Sequence, residues 1–176
     1  MLHSFELHPE WPRGTSEPVL DVATRVHGVR PERARAVEEE MTRRAAAEGL
    51  PFVVDRPAGN TFDVHRVLQL AHRSGVGTAF FTDLQTECFA GHVDPFDSAQ
   101  VVAVATRHGL PEDDTRRVLA SGEFTQEVHA DRARARALGI TGVPFAVVGG
   151  RLAVAGAQSV ETYSQVLARA AAEVSA

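Results

Sequence analysis

Cysteine is almost absent from this sequence, because Cys88 is the only one among its 176 residues. A single thiol forms no disulfide within the chain and cannot build a cysteine-rich zinc site. The 8 histidines include no HExxH motif and no pair spaced as H-x3-H. The sequence therefore predicts neither a metal site nor another cofactor. For Cys88, which precedes Phe89 in a helical stretch, we expect a structural role as a small buried apolar residue.

Long apolar runs and an excess of positive charge are also absent. No run approaches the roughly 18 residues of a membrane-spanning helix. The first residues, MLHSFELHPEWP, lack the charged and apolar regions of a signal peptide. The net charge of −5 argues against nucleic acid or an anionic membrane surface as a partner. We therefore expect a cytoplasmic protein, whose hydrophobic content of 44% suffices for a packed core.

Amphipathic spacing predicts that most of the chain is helical. Residues 2–7, LHSFEL, form a strand candidate that the prolines after it end. We expect Ser16 to cap the first helix with Pro18 in its first turn. Asn60 or Thr61 is expected to cap TFDVHRVLQLAHRSG, which has apolar residues at i, i+3, i+4 and i+7. Further helices are predicted over PERARAVEEEMTRRAAAEGL, GTAFFTDLQTECFAG, SAQVVAVATRHGL, PEDDTRRVLASG and residues 123–138.

The last part of the chain has a different pattern. Residues 144–149 and 151–155 are predicted to be two strands joined by Gly149-Gly150, since Gly-Gly favours a hairpin turn. A terminal helix follows, with Ser159 as its cap. Few strands and many helices indicate a helical insertion in a small α/β frame. The buried stripe of the terminal helix is predicted to consist of Val160, Tyr163, Val166, Leu167 and Ala170.

The proline in GITGVPFAVVGG stands where a strand begins. Proline is tolerated at the first residue of a strand, where its missing N–H matters least. The X-Pro bond also costs far less in the cis form than other peptide bonds do. Spacing alone favours an ordinary trans proline at Val143–Pro144, and a cis bond is the alternative.

Three stretches, in this order, resemble the DsbA-like thioredoxin-fold family, in particular its cytoplasmic FrnE-like branch. They are SFELHP, GNTFDVHRVLQLA and GITGVPF with its following GG hairpin and AVAGAQSVETY. The resemblance extends over residues 1–174. It implies an α/β thioredoxin-like fold formed by residues 1–12 and 139–176, with a large all-helical insertion over residues 13–138.

The resemblance also implies a substrate site. Gly142, Val143 and Pro144 would form a cis-proline loop that holds an extended substrate through the Val143 backbone. Asn60 and His65 would lie near the same groove. The substrate would be a protein or a small thiol or disulfide, with no nucleic acid and no membrane involved. The alternative is that Asn60 only caps its helix and that His65 is a helix histidine with satisfied hydrogen bonds.

Members of this family work through a Cys-x-x-Cys or related nucleophile on a helix after the first strand, and this sequence has no counterpart of that strand and helix. We therefore expect an incomplete thioredoxin-like fold, with the first strand and active-site helix absent. Three explanations are open: the start of the sequence is misassigned, the gene is a degenerate fragment, or a partner chain donates the missing strand and helix. Unpaired strand edges would favour homo-oligomers.

The function expected from these observations is that of a DsbA-family thiol–disulfide oxidoreductase domain, truncated and inactive as the lone chain, with no catalytic residue of its own. A glutathione-linked isomerase or transferase of the same architecture is one alternative. A non-catalytic fragment or binding module is the other.

Overall fold

The computed structural model describes residues 1–174 and divides the chain into two compact units, Met1–Asp131 and the residues from Arg132 on. The division predicted from the resemblance, residues 1–12 with 139–176 against 13–138, stays a prediction. Among the helices of the described residues, none combines the length and hydropathy needed to cross a bilayer.

The first unit is built of helices and one small antiparallel sheet. Strand β1 (Ser16–Pro18) pairs with β2 (Pro57–Gly59), and Ser16 lies opposite Gly59. The helices in chain order are α1 (Val19–Arg25), α2 (Pro31–Ala47), α3 (Phe62–Arg73), α4 (Gly77–Phe89), α5 (Ser98–Arg107), α6 (Glu112–Ala120) and α7 (Thr125–Ala137), the last of which continues past Asp131.

The core of the first unit lies between α3, α4, α5 and α6. The predicted apolar stripe of α3 is confirmed, because every member of it is buried. Residues at i, i+3, i+4 and i+7 share one helix face, and this face packs on Phe80, Val104 and Val118 of the neighbouring helices. The members of the stripe are Val64, Val67, Leu68 and Ala71.

A buried arginine joins α3 to the end of α6. Arg66 is 1% exposed, and its guanidinium donates to the carbonyl oxygens of Val118, Leu119, Ser121 and Glu123 and to the Asp63 carboxylate. The last carbonyls of a helix have no partner within the helix, so the cation satisfies groups that α6 leaves open.

Two predictions for the start of the chain are wrong. Residues 2–7 form no strand, because side chains rather than a main-chain ladder bind this segment. Ser16 does not cap α1; it pairs in β1, and α1 begins only after Pro18, which provides no side-chain cap. Asp97 caps α5, since its carboxylate accepts from the Ala99 and Gln100 amides.

The second unit contains the predicted hairpin. Strand β3 (Phe145–Val148) pairs antiparallel with β4 (Leu152–Ala155), and Phe145 lies opposite Ala155. Gly149 and Gly150 have φ angles of 59° and 72°, a left-handed conformation that favours glycine and explains the Gly-Gly turn.

Helix α8 (Val160–Val174) follows the hairpin, and the Ser159 hydroxyl caps it by accepting from the Thr162 amide at 3.2 Å. The predicted buried stripe is wrong at two positions, because Val160 is 84% exposed and Leu167 is 55% exposed. A two-stranded hairpin is narrower than the stripe, so it covers only part of the apolar face. Tyr163, Val166 and Ala170 are half-buried.

Candidate functional site

The loop before β3 carries three of the predicted site residues. The Val143–Pro144 peptide bond is cis, which is the form that the resemblance implies. The Pro144 carbonyl accepts from the Gly156 amide at 2.8 Å, which fixes the start of β3 on the hairpin. Val143 is 51% exposed, and apart from the residues next to Gly142 in the chain, no atom of the described residues lies within 4 Å of the position where a Gly142 side chain would begin. The loop therefore presents accessible backbone to solvent.

Asn60 uses both ends of its side-chain amide. Its Oδ1 accepts from the Phe62 amide at 2.8 Å, at the first residue of α3, and its Nδ2 donates to the Trp11 carbonyl at 2.8 Å. The residue is 7% exposed. Asn60 thus caps α3 from the position before Thr61, as expected, and it also fixes the chain at Trp11.

His65 is buried under the beginning of the chain. It is 5% exposed, its Nε2 lies 3.2 Å from the Phe5 carbonyl, and its ring stacks on Phe81. Burial lowers the pKa of His65 to about 4, although the Phe5 carbonyl and the Asp131 carboxylate oppose the shift. His65 is therefore neutral near pH 7 and binds the chain's own backbone.

We call residues 2–5 the N-terminal strap. Asp131 is its main anchor: one carboxylate oxygen contacts His3 Nδ1 at 2.7 Å, and the other accepts from the Ser4 amide at 2.8 Å. Gln69 donates to the Ser4 hydroxyl at 3.1 Å and to Asp131 at 3.0 Å. Partial burial raises the pKa of Asp131, but the Ser4 amide and the His3 imidazole outweigh this effect and hold the pKa below its usual value.

The sequence analysis missed this anchoring. Its contacts join residues that are more than 60 positions apart, which local periodicity cannot reveal. One signal was available: His65 and Gln69 are polar residues at i and i+4, beside the apolar stripe of α3. Such a pair on one helix face indicates a polar partner lying across it.

Cys88 does not have the surroundings of a reactive thiol. It is a half-buried free cysteine in α4. Burial raises the pKa of the Cys88 thiol, although the Arg56 guanidinium opposes the shift. A thiol needs a lowered pKa to be a thiolate near neutral pH, so these surroundings disfavour nucleophilic attack.

A surface cavity of the first unit lies elsewhere. Its volume is about 450 Å³, and Glu17, Asp55, Arg56 and Asp94 are among its polar lining residues. The Arg56 guanidinium forms an ion pair with the Glu38 carboxylate, at 2.5 Å, and a cation–π contact with the ring of Phe52. None of the predicted site residues lines this cavity. Within residues 1–174, no group of three or more metal-ligating side chains comes together.

The comparisons with known proteins agree on one family. The model of the DSBA-like thioredoxin domain matches residues 1–168. The crystal structure of a probable DsbA oxidoreductase from Streptomyces coelicolor superposes with a TM-score of 0.92 and 38% sequence identity, covering 97% of this chain and 74% of that chain. No curated protein matches.

The chain therefore belongs to the DSBA-like thioredoxin domain family, a family of oxidoreductases, and has its fold. The DsbA-like family and the thioredoxin-like fold predicted from the sequence are confirmed, while the FrnE-like branch and the absence of the first strand and active-site helix stay predictions. The site residues divide between the two units: Gly142, Val143 and Pro144 lie in the second, and Asn60 and His65 lie in the first. Their role in binding substrate stays a prediction.

Proposed function

We propose that this chain is a thiol–disulfide oxidoreductase domain of the FrnE-like branch of the DsbA family that, as the lone 176-residue chain, has no dithiol activity. The observation that carries this proposal is the state of Cys88, the only cysteine, which is half-buried and has a raised pKa. Disulfide exchange needs an accessible thiolate, and release of a mixed disulfide needs a second thiol. The cytoplasm is the location that the resemblance implies, and we include it in the proposal.

The same proposal assigns the loop Gly142–Pro144 and the outer edge of β3 to binding an extended polypeptide or a small disulfide. The Pro144 and Val148 carbonyls accept from Gly156 and Arg151 on the β4 side. Because main-chain groups of a strand alternate in direction, those of Phe145 and Val147 lie on the other edge. Among the described residues, no strand pairs with that edge.

An unpaired edge next to an exposed loop supports strand addition, in which main-chain hydrogen bonds provide the affinity. A second copy of the chain is a further occupant of the same edge, which would give homo-oligomers. A non-catalytic binding module of the same fold is the second candidate function, and the raised pKa of Cys88 favours it.

The test is reduction of the insulin disulfides by dithiothreitol, with and without the purified chain, compared with the Cys88→Ala variant. We expect insulin reduction to proceed at the uncatalysed rate with the chain and with the variant alike. Catalysis that Cys88→Ala abolishes would contradict the proposal, because it would make Cys88 a working nucleophile.

A further inference from the structure

The second unit carries an excess of positive charge. From Arg132 on, the chain has five arginines and two glutamates, whereas the whole chain has a net charge of −5. No acidic residue occurs between Asp131 and Glu161, and this segment contains the Gly142–Pro144 loop and the whole hairpin. The field around the loop and β3 is therefore positive, while the acidic groups are concentrated in the first unit.

Two of these arginines stand where α7 ends, ahead of the loop. Arg134 and Arg136 are exposed in the last turn of the helix. Residues two positions apart on a helix lie on opposite sides of it, so the two guanidinium groups surround the helix end. Neither guanidinium has an ion-pair or hydrogen-bond partner among the described residues. The stretch from Ala137 to Val143 spans at most about 21 Å, so a ligand that extends past the loop can reach both arginines.

Arg151 stands at the other end of β3. Its amide donates to the Val148 carbonyl at 3.2 Å, in the turn that follows the strand. Its guanidinium lies 4.0 Å from the Glu173 carboxylate, which also contacts Arg169 at 3.2 Å. One carboxylate thus faces two guanidinium groups, and the Arg151 side chain is 77% exposed. The outer edge of β3 therefore lies between arginines whose charge is not neutralised.

The sheet face beside that edge is apolar and open. Phe145 lies opposite Ala155 and Val147 opposite Ala153, so these side chains share one face. Val147 is 44% exposed, and both alanines are exposed. The opposite face contains Val154, which is 4% exposed, and packs on α8. A chain added to β3 would place alternate side chains over the open face, which favours apolar residues there.

We propose, on the basis of the strand addition proposed above, that the substrate is an extended polypeptide segment with apolar residues at its centre and acidic residues at both ends. Arg134 and Arg136 bind the acidic residues at one end, and Arg151 binds those at the other. A segment of about eleven residues is ~36 Å long when extended, so its ends pass well beyond β3. Each exposed ion pair strengthens binding by a factor of about 1.4 to 5, so the three arginines together should contribute roughly tenfold.

Three peptides of about eleven residues with blocked ends test the proposal, each with alternating valine and threonine at its centre. Two glutamates, two glutamines or two lysines flank the centre on either side. Binding to the intact chain is followed by NMR through the amides of Val143, Phe145 and Val147. In about 20 mM NaCl, the glutamate peptide should bind roughly tenfold more tightly than the glutamine peptide, and the lysine peptide more weakly than both. In about 500 mM NaCl, where salt screens exposed charges, the glutamate and glutamine peptides should differ by less than about twofold.

The variant Arg134→Gln/Arg136→Gln/Arg151→Gln removes the selecting charges and should reduce the affinity ratio of the glutamate and glutamine peptides to less than about twofold in low salt. An unchanged ratio in this variant would overturn the proposal. Equal affinities of the two peptides for the wild type, with shifts at the loop, would also overturn it but would leave the strand addition standing. Absence of shifts at these amides with every peptide would overturn the strand addition itself and this proposal with it.

The matched control is Arg43→Gln/Arg44→Gln/Arg116→Gln, which removes three exposed arginines of the first unit and changes the net charge by the same amount. This control should keep the affinity ratio of the wild type, and its loss would overturn the proposal by showing a general effect of charge. A dimeric mass in light scattering, with the Phe145 and Val147 amides protected from exchange and no dissociation by the glutamate peptide, would assign the edge to a second copy and overturn the proposal as well.

Discussion

Removing the Arg66 side chain tests how much the buried link between α3 and the end of α6 stabilises the first unit. The change is Arg66→Met, which keeps much of the apolar stem and removes the guanidinium. Of the four carbonyl oxygens that lose a donor, that of Val118 belongs to a buried residue and keeps only the Ser121 amide, at 3.4 Å, while those of Leu119 and Glu123 belong to half-buried residues. Ser121 is exposed, so water can replace the donor there.

The expected loss follows from the carbonyl groups on the buried and half-buried residues. Each buried acceptor without a donor costs about 1 to 3 kcal/mol. The ion pair with Asp63 adds little, because that carboxylate is 35% exposed. We expect a total loss of about 3 to 5 kcal/mol in the free energy of unfolding. Arg66→Lys keeps the charge on a single nitrogen, which cannot reach all of these oxygens, so it should lose roughly half as much.

The assay is urea denaturation followed by circular dichroism. The control is Arg116→Met, which removes an exposed arginine that pairs with Glu112 on α6 and should cost less than about 1 kcal/mol. The reasoning is refuted if Arg66→Met loses no more than Arg116→Met, or if Arg66→Lys is as stable as the wild type.

Substitutions at two positions and one reactivity measurement test other parts of the structure. Asn60→Ala should lose about 1 to 2 kcal/mol in the free energy of unfolding, because it removes the hydrogen bonds to Phe62 and Trp11. Asn60→Asp keeps the bond to the Phe62 amide and should lose less. Equal urea midpoints for the two variants would contradict this. Leu68→Ala, at a position 0% exposed, should lose about 2 to 5 kcal/mol in the same assay, and a smaller loss would place Leu68 outside the core. Cys88, whose pKa is raised, should react with iodoacetamide more slowly at pH 7.5 than a cysteine peptide does, measured by mass spectrometry; an equal rate would contradict the burial.

Local patterns in the sequence were sufficient for much of the fold. The apolar stripe of α3 and the Gly149-Gly150 turn depend on residues within a few positions of one another, and both were predicted. Strand β1 was missed because a three-residue strand that ends in Pro18 shows no alternation, and its partner lies some forty residues away.

The candidate site was predictable only in part. The resemblance implied the cis form of Val143–Pro144, which spacing alone did not favour. It did not reveal that Asn60 and His65 bind the backbone near the beginning of the chain, because these contacts depend on how distant segments meet. The role of Arg66 was missed for the same reason: a charged residue within a helix gives no sign of its burial until the end of α6 is in place.

The assignment of substrate binding to the cis-proline loop and the outer edge of β3 is the central claim, and NMR titration of the intact chain with an extended disulfide-containing peptide tests it most directly. The account predicts shifts of the amide signals of Gly142, Val143, Phe145 and Val147, which weaken in Val143→Pro because this change removes a backbone donor. Shifts confined to other residues, or equal binding by a Val160→Ser control and by Val143→Pro, would contradict it.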